Sequence, residues 1–393
     1  MTIFLLYYVG MSKHKEFITK LSTIGDELVI EWDDGKKSRI FSHWLRDHCQ
    51  MATSVNANNG QRLFSVVDIP EETYIDQVYK DEKCNVCVVF QPENHLSVFS
   101  QEWLRKNCYD QNLQFDDRSE KQKNLWQKYS FEDGLPFVNY EDICKDDNIK
   151  LDTLRMVRDV GFFILENVPI IEGQVLNVIS ELGYTRETNY GALFEVRTEI
   201  NPNNLAYTNM GLGSHTDNPY RDPVPTVQLL HCLESSTEGG DSVLVDGFKA
   251  ATVLRQESEE DFDTLTRSWI NYRFTDASTD LRSRVPMIEL NDKNEIVKVR
   301  YNNRSIDTIY LPDNKVRSFY KAYRHWSEII ERDSLKIIFK LSEGDLMLID
   351  NTRIMHARTA FSKEGKRHLQ GAYTDLDGLY SLLNVLEARQ QNG

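Results

Sequence analysis

The stretch GLGSHTDNPYRDPVPTVQLLHCLESSTEGGDSVLVDG, residues 211–247, decides how the rest of the chain is read. At its centre, His215-Thr216-Asp217 is an H-x-D triplet. In extended backbone, residues i and i+2 project to one face. An imidazole nitrogen and a carboxylate oxygen therefore reach a single cation from a short piece of chain. Alone the triplet says little, because such triplets more often end surface strands. Its surroundings add weight. Val227-Gln228-Leu229-Leu230-His231-Cys232-Leu233 reads as an apolar strand, Gly239-Gly240 as a turn, and 242–245 as a second strand. Far downstream, Ile349-Asp350-Asn351-Thr352-Arg353-Ile354-Met355-His356 sets another histidine after the apolar strand 345–350, with Arg367 beyond it.

Two histidines and one carboxylate with open positions form the ligand set of non-haem Fe(II) oxygenases. Composition agrees with an enzyme-sized globular protein. A length of 393 residues allows two or three domains. A hydrophobic fraction of 40%, with 18 Tyr and 18 Phe, is enough for substantial cores. The net charge of −15 argues against nucleic acid and anionic membranes as partners. It suits a cationic or zwitterionic ligand, although solubility alone accounts for it. Six cysteines (49, 84, 87, 108, 144, 232) are scattered and make no secreted disulfide framework. Cys84 and Cys87 have C-x-x-C spacing inside an apolar, strand-like run, CNVCVVF, and read as structural. The opening 3–9 is apolar but short and lacks a basic flank, while Met11 begins an ordinary N-terminus, MSKHKEF. Residues 1–10 are thus expected to be an extension and not a signal peptide. No other apolar run nears membrane-spanning length. A cytoplasmic, reducing setting is expected.

Residues 26–49 alternate around the turn Asp33-Asp34-Gly35-Lys36, a hairpin signal. A strand at 86–90 and a short helix at 101–107 complete a small β-rich domain over 26–110, preceded by an extension at 1–25. The polar stretch 111–134 reads as a linker or exposed helix. From there the catalytic portion runs over 135–393. Residues 140–160 have helical period, 161–165 a buried strand, and 175–182 a helix stopped by Gly183. Helical segments are also expected at 254–269 and 315–332. Helices first, then many strands closed by turns, predict a mainly β fold with flanking helices: a double-stranded β-helix, or jelly roll, of two sheets.

Seven runs carry a resemblance. NNLAYT (203–208), HTDNPY (215–220), VQLLHCL (227–233), GGDSVLVDGF (239–248), RHLQGAYTD (367–375), WLRDHC (44–49) and YNNRSIDTIY (301–310) resemble the γ-butyrobetaine dioxygenase family of Fe(II)/2-oxoglutarate oxygenases. The similarity runs from about residue 26 to the C-terminus. It implies His215, Asp217 and His356 as iron ligands and Arg367 as the holder of the distal carboxylate of 2-oxoglutarate. A guanidinium suits that task because its rigid fork pairs two N–H groups with two oxygens. Ser242 is a candidate to add a hydroxyl to the same carboxylate. Arg353 and Arg358, nearby in sequence, read as solvated strand-end charges.

A trimethylammonium group has no N–H to donate, so ring faces must recognise it. The family's cage positions fall on Tyr190, Phe194, Tyr207 and Tyr373, with Phe194 where some members carry Trp. Asn204, with Asn302 or Asn303, matches the amides expected to bind the substrate's anionic end. Arg304 departs from some relatives, and three readings stay open: it pairs with a carboxylate, favours a larger anion such as a phosphonate, or faces solvent.

The resemblance implies Fe(II), 2-oxoglutarate and O2, with ascorbate a candidate reductant, and hydroxylation of γ-butyrobetaine to L-carnitine. Hydroxylation of trimethyllysine or of a trimethylammonio-phosphonate is the near alternative, and a non-catalytic quaternary-amine-binding protein the remote one. It also implies a homodimer. Relatives hold a structural zinc in the N-terminal domain through three Cys and one His. Here Cys49 and His95 match, but Gln50, Met51, Ala52 and Thr53 follow Cys49, and two ligands do not close a tetrahedral site. No zinc is expected there.

Overall fold

The structure is a computed structural model, and it describes residues 18–110, 123–197, 210–362 and 364–392. The chain divides into two compact units, Met1–Asp117 and Arg118–Gly393.

In the first unit, the antiparallel strands Ile18–Ile24, Glu27–Trp32 and Lys37–Phe41 form one sheet. Tyr74–Lys80, Val86–Gln91 and His95–Phe99 form another. Gly35, at φ 81, supplies the left-handed residue that the predicted hairpin turn needs. Alternation sends Leu28, Ile30 and Trp32 inward to meet Ile40, Val88, Phe90 and Phe99. The helix Gln101–Asn107 forms as predicted, with Ser100 accepting from the Trp103 amide as its cap.

One detail differs. Cys84 is not in a strand but in an exposed turn at φ 63, while Cys87 is buried in the strand Val86–Gln91. All six cysteines are free thiols. Cys49 Sγ lies 3.3 Å from His95 Nε2. Beside this pair, Arg46 forks onto Glu93 at 2.9 Å and 2.9 Å and stacks over Phe64. No third ligand joins Cys49 and His95 among the described residues.

The second unit is a jelly roll. Its larger sheet runs in the order Phe194–Arg197, Arg367–Thr374, Val227–Ser235, Leu346–Asp350, Phe162–Glu166 and Phe137–Asn139, with Thr185–Arg186 beside Arg367–Thr374. The smaller runs Leu212–His215, Ile354–Arg358, Ser242–Asp246 and Lys336–Phe339. Ile164, Cys232, Met347 and Leu369 of the first sheet pack on Leu244, Ile337 and Ile354 of the second. The other face of the larger sheet is equally apolar. Phe163, Leu165, Leu229 and Leu348 lie under the helices Asp147–Asp159, Gln174–Leu182 and Leu376–Asn392. That double burial is why 162–165 is continuously apolar and does not alternate.

Several boundaries differ from expectation for local reasons. The predicted helix 140–160 is two helices, Tyr140–Lys145 and Asp147–Asp159, because Asp146 caps the second by accepting from the Asn148 amide. The segment 254–269 likewise falls into Gly247–Glu257 and Glu259–Arg267, separated by the capping Ser258. Within the polar stretch 111–134, residues 123–134 dock on the second unit. Trp126 is buried, its amide donating to Asp246 and its indole to the Val160 carbonyl.

Arg353 overturns its reading as a solvated strand-end charge. It is fully buried and ion-paired at 2.8 Å with Asp246, which also caps the helix Gly247–Glu257. Arg358 is buried as well and donates to the Met210 carbonyl. No helix among the described residues is long and apolar enough to cross a membrane.

Candidate active site

Strand register explains how histidines 141 positions apart in sequence meet. His215, at the end of Leu212–His215, pairs directly with His356 on Ile354–Arg358, and their ring centroids are 4.3 Å apart. Asp217, two residues on, turns its Oδ1 toward both, 3.5 Å from His215 Nε2 and 3.7 Å from His356 Nε2. Ligand atoms of the three residues lie within 4.8 Å of one another, and no other such cluster occurs among the described residues.

The donor set fits a divalent iron. His215 Nδ1 is 2.9 Å from the Gly213 carbonyl; donating its proton there leaves Nε2 with a free lone pair. Burial, reinforced by the charges of His215 and Arg304, pushes the His356 imidazole down to about 3, so it is neutral as a ligand must be. Burial opposes the charge on Asp217. His215, His356 and the Tyr373 hydroxyl outweigh it and hold the carboxyl below its ordinary range.

Gln228 and Asn351, not singled out from the sequence, and Tyr373, expected there only as a cage ring, fix this carboxylate. Gln228 and Tyr373 are cross-strand partners, and both donate to Asp217 Oδ2 at 2.7 Å. With Oδ2 so engaged, Oδ1 is the oxygen left to face the histidines. Asn351 accepts from the Asp217 amide at 2.7 Å and donates to its carbonyl at 3.0 Å. Gln228 sits within the quoted strand and Asn351 within the quoted downstream run. Only the register that aligns them shows their purpose.

Three guanidiniums gather on one side. Arg367 begins the strand Arg367–Thr374 and is half-buried against the Gly239-Gly240 turn. A Cβ on Gly240 would lie 3.0 Å from Arg367 Cδ, so glycine lets the turn approach. Ser242 pairs in register with Arg358. Burial and the neighbouring charges of Arg367 and Arg304 push the Arg358 guanidinium down to about 10. Burial lowers Arg367 as well, and no carboxylate lies within ion-pair distance of it among the described residues. Such a concentration of positive charge suits a dicarboxylate.

The aromatic candidates also assemble. Phe194 stacks on Tyr373 with centroids 5.0 Å apart, and Tyr190 lies 6.4 Å from Phe194. Tyr190 shares a 2.9 Å hydrogen bond with Tyr220. Phe274, unremarked in the sequence, packs on both Tyr190 and Tyr220. Phe194 rests directly on Gly371, its register partner. At the other end, Asn302 is buried and hydrogen-bonded, Asn303 is exposed in a turn, and Arg304 bonds to Asn302. Asn204 and Tyr207 lie outside the described residues.

A jelly roll carrying two histidines and a carboxylate at its mouth defines a class, the 2-oxoglutarate-dependent dioxygenases with Fe(II) as metal. Residues 127–373 match the family described as "Taurine catabolism dioxygenase TauD, TfdA family". Residues 19–105 match "Gamma-butyrobetaine hydroxylase-like, N-terminal". The chain belongs to the γ-butyrobetaine dioxygenase family within these enzymes. It is 32% identical to γ-butyrobetaine dioxygenase of Pseudomonas sp. (strain AK-1), covering 91% of this chain and 93% of that one. Identity to the Homo sapiens γ-butyrobetaine dioxygenase is also 32%, covering 93% and 95%. Trimethyllysine dioxygenase of Meyerozyma guilliermondii is 29% identical, covering 97% and 98%.

Proposed function

We propose that the enzyme hydroxylates γ-butyrobetaine to L-carnitine, with His215, Asp217 and His356 holding Fe(II). The observation that carries this reading is the convergence of Tyr190, Phe194 and Tyr373 beside Asp217. Ring faces placed there receive a trimethylammonium group by cation–π attraction, and Tyr207 is assigned to the same cage. Arg367 holds the distal carboxylate of 2-oxoglutarate, with Ser242 contributing its hydroxyl. When bound, the iron supplies oxidation by O2, coupling decarboxylation of 2-oxoglutarate to succinate with hydroxylation of a substrate C–H bond.

The chain's own side chains act by ligation and positioning. Gln228 and Tyr373 orient the carboxylate, Asn351 fixes its backbone, and the cage sets which carbon faces the metal. The second unit carries this chemistry, and the smaller domain begins at the strand Ile18–Ile24, earlier than the expected residue 26. Ascorbate serves as reductant. Free thiols at all six cysteines support a cytoplasmic setting, and the homodimer is carried over from the family resemblance. Trimethyllysine is the second reading, because a trimethyllysine dioxygenase is similar over nearly the whole chain.

A substrate panel scored by succinate formation tests the choice. γ-Butyrobetaine should stimulate 2-oxoglutarate turnover more than trimethyllysine or a trimethylammonio-phosphonate. Faster turnover of either rival would replace the substrate and leave the oxygenase chemistry in place.

A further inference from the structure

We infer that Tyr220 is a positioning residue for the substrate. Its hydroxyl ties Tyr190 to the backbone beside the metal ligand Asp217, and so fixes the aromatic cage relative to the iron site. This rests on the trimethylammonium reading above. The described cage rings are not held alike. Phe194 and Tyr373 stand on neighbouring strands of the larger sheet, Phe194–Arg197 and Arg367–Thr374, so register places them. Tyr190 lies off that sheet, in the turn closed by the Thr188–Gly191 bridge. Its amide donates to Thr188 Oγ1 at 3.1 Å, and Gly191 turns the chain at φ 85. Strand register therefore does not orient its ring, and side chains must.

Tyr220 supplies that hold. It is buried, and its ring stacks on Phe274 with centroids 5.2 Å apart, while Phe274 meets the Tyr190 ring edge-on at 5.8 Å. The Tyr220 hydroxyl lies 2.6 Å from Asn218 Oδ1 and 2.9 Å from the Tyr190 hydroxyl. A contact of 2.6 Å has the length of an O–H···O bond and is short for an amide N–H donor, so Tyr220 donates to Asn218. A phenol has one proton to give, so Tyr190 donates to Tyr220. The hydrogen bonds thus run one way, from cage ring to Tyr220 to Asn218. Asn218 is buried and takes a left-handed φ of 53, which asparagine tolerates. It follows Asp217, whose amide and carbonyl are both held by Asn351. On its other side, the buried Ser283 hydroxyl donates to the Pro219 carbonyl at 2.6 Å. The relay therefore ends on backbone fixed at both flanks. A loosened Tyr190 ring would let the trimethylammonium group shift, and with it the C–H bond presented to the metal.

The test uses Tyr220→Phe and Tyr190→Phe, which keep both rings and remove one hydroxyl each. Two quantities are read on the Fe(II)-loaded enzyme. One is calorimetric affinity for γ-butyrobetaine with 2-oxoglutarate and without oxygen; the other is hydroxylated product formed per succinate. Each variant should bind γ-butyrobetaine about three- to tenfold more weakly, the effect of one neutral hydrogen bond. Each should also release more succinate than product, where the wild type should form them in equal amounts. Affinity for 2-oxoglutarate should stay within about twofold, which shows that the variants are folded. The double variant should lose no more than either single one, because both substitutions cut the same link. Additive losses would overturn the inference. So would wild-type affinity and product yield in Tyr220→Phe, or equal weakening of γ-butyrobetaine and 2-oxoglutarate. If the wild type does not bind γ-butyrobetaine at all, the trimethylammonium reading itself falls, and the inference with it.

Discussion

Tyr373 serves two functions at once. Its ring stacks on Phe194 at 5.0 Å, and its hydroxyl donates to Asp217 Oδ2 at 2.7 Å. Replacing it with phenylalanine keeps the ring face and removes the donor. Fe(II) affinity in Tyr373→Phe should fall by about ten- to hundredfold, the usual effect of losing a hydrogen bond to a metal ligand. Trimethylammonium binding to metal-saturated enzyme should change little. Unaltered metal affinity in a titration would show that Gln228 alone fixes the carboxylate. The dual role was half legible: the motif around Tyr373 pointed to a cage, but nothing in RHLQGAYTD says that its hydroxyl reaches residue 217. Arg353 shows the opposite failure. A lone arginine after a strand usually meets solvent, and only the fold brings the buried Asp246 to it.

At the scale of strands and helices, Gly371 fixes where Phe194 sits. A Cβ there would lie 2.3 Å from Phe194 Cε2 and Cζ, so alanine must displace the ring. Gly371→Ala should weaken binding of the trimethylammonium substrate by about tenfold, comparable to one lost cation–π face. Affinity for 2-oxoglutarate should be kept. Equal weakening of both would mean that the whole strand had shifted.

Three helices meet at His325, whose nitrogens lie 2.8 Å from Asp261 and 3.0 Å from Glu257; Arg332 and Lys321 complete the group. Burial works against the imidazolium, but bonds to Glu257 and Asp261 outweigh it and raise the His325 pKa. Its stabilisation is therefore present below the unfolded value of about 6.5 and is lost as pH rises through the folded value. Hydrogen bonds from Arg332, then His325, hold Glu257 down to about 2, so its share fades only as pH falls toward that value. His325→Gln should lower the melting temperature at pH 6 and leave it nearly unchanged at pH 9. The cost is about 1 kcal/mol or less, because Glu257, Arg332 and Lys321 are partly open to solvent, which screens the pairs. An equal drop at both pH values would place the effect in packing. Helical period revealed these helices but not their joints, since a single capping Asp146 or Ser258 breaks a helix without disturbing its apolar spacing.

Across the whole molecule, the jelly roll and the His215, Asp217 and His356 cluster were legible in the sequence because both leave short-range marks: paired apolar strands, a Gly-Gly turn, an H-x-D triplet. The supports Gln228 and Asn351 left none, since amides acquire direction only from register. A chain of net charge −15 nonetheless brings Arg304 and Arg367 near enough to Arg358 to lower its basicity, so charge is sorted by site and not by composition. In the first unit, Cys49 and His95 pair without a third ligand among the described residues. Elemental analysis should find capacity for one iron per chain and no stoichiometric zinc; one tightly held zinc per chain would require ligands beyond that pair. The chemistry itself is tested most directly by incubating the Fe(II)-loaded enzyme with γ-butyrobetaine, 2-oxoglutarate and 18O2. One 18O atom should appear in the hydroxylated product for each succinate formed, and none in His215→Ala. Succinate released without an oxygenated trimethylammonium product, or product formed equally in His215→Ala, would contradict the assignment.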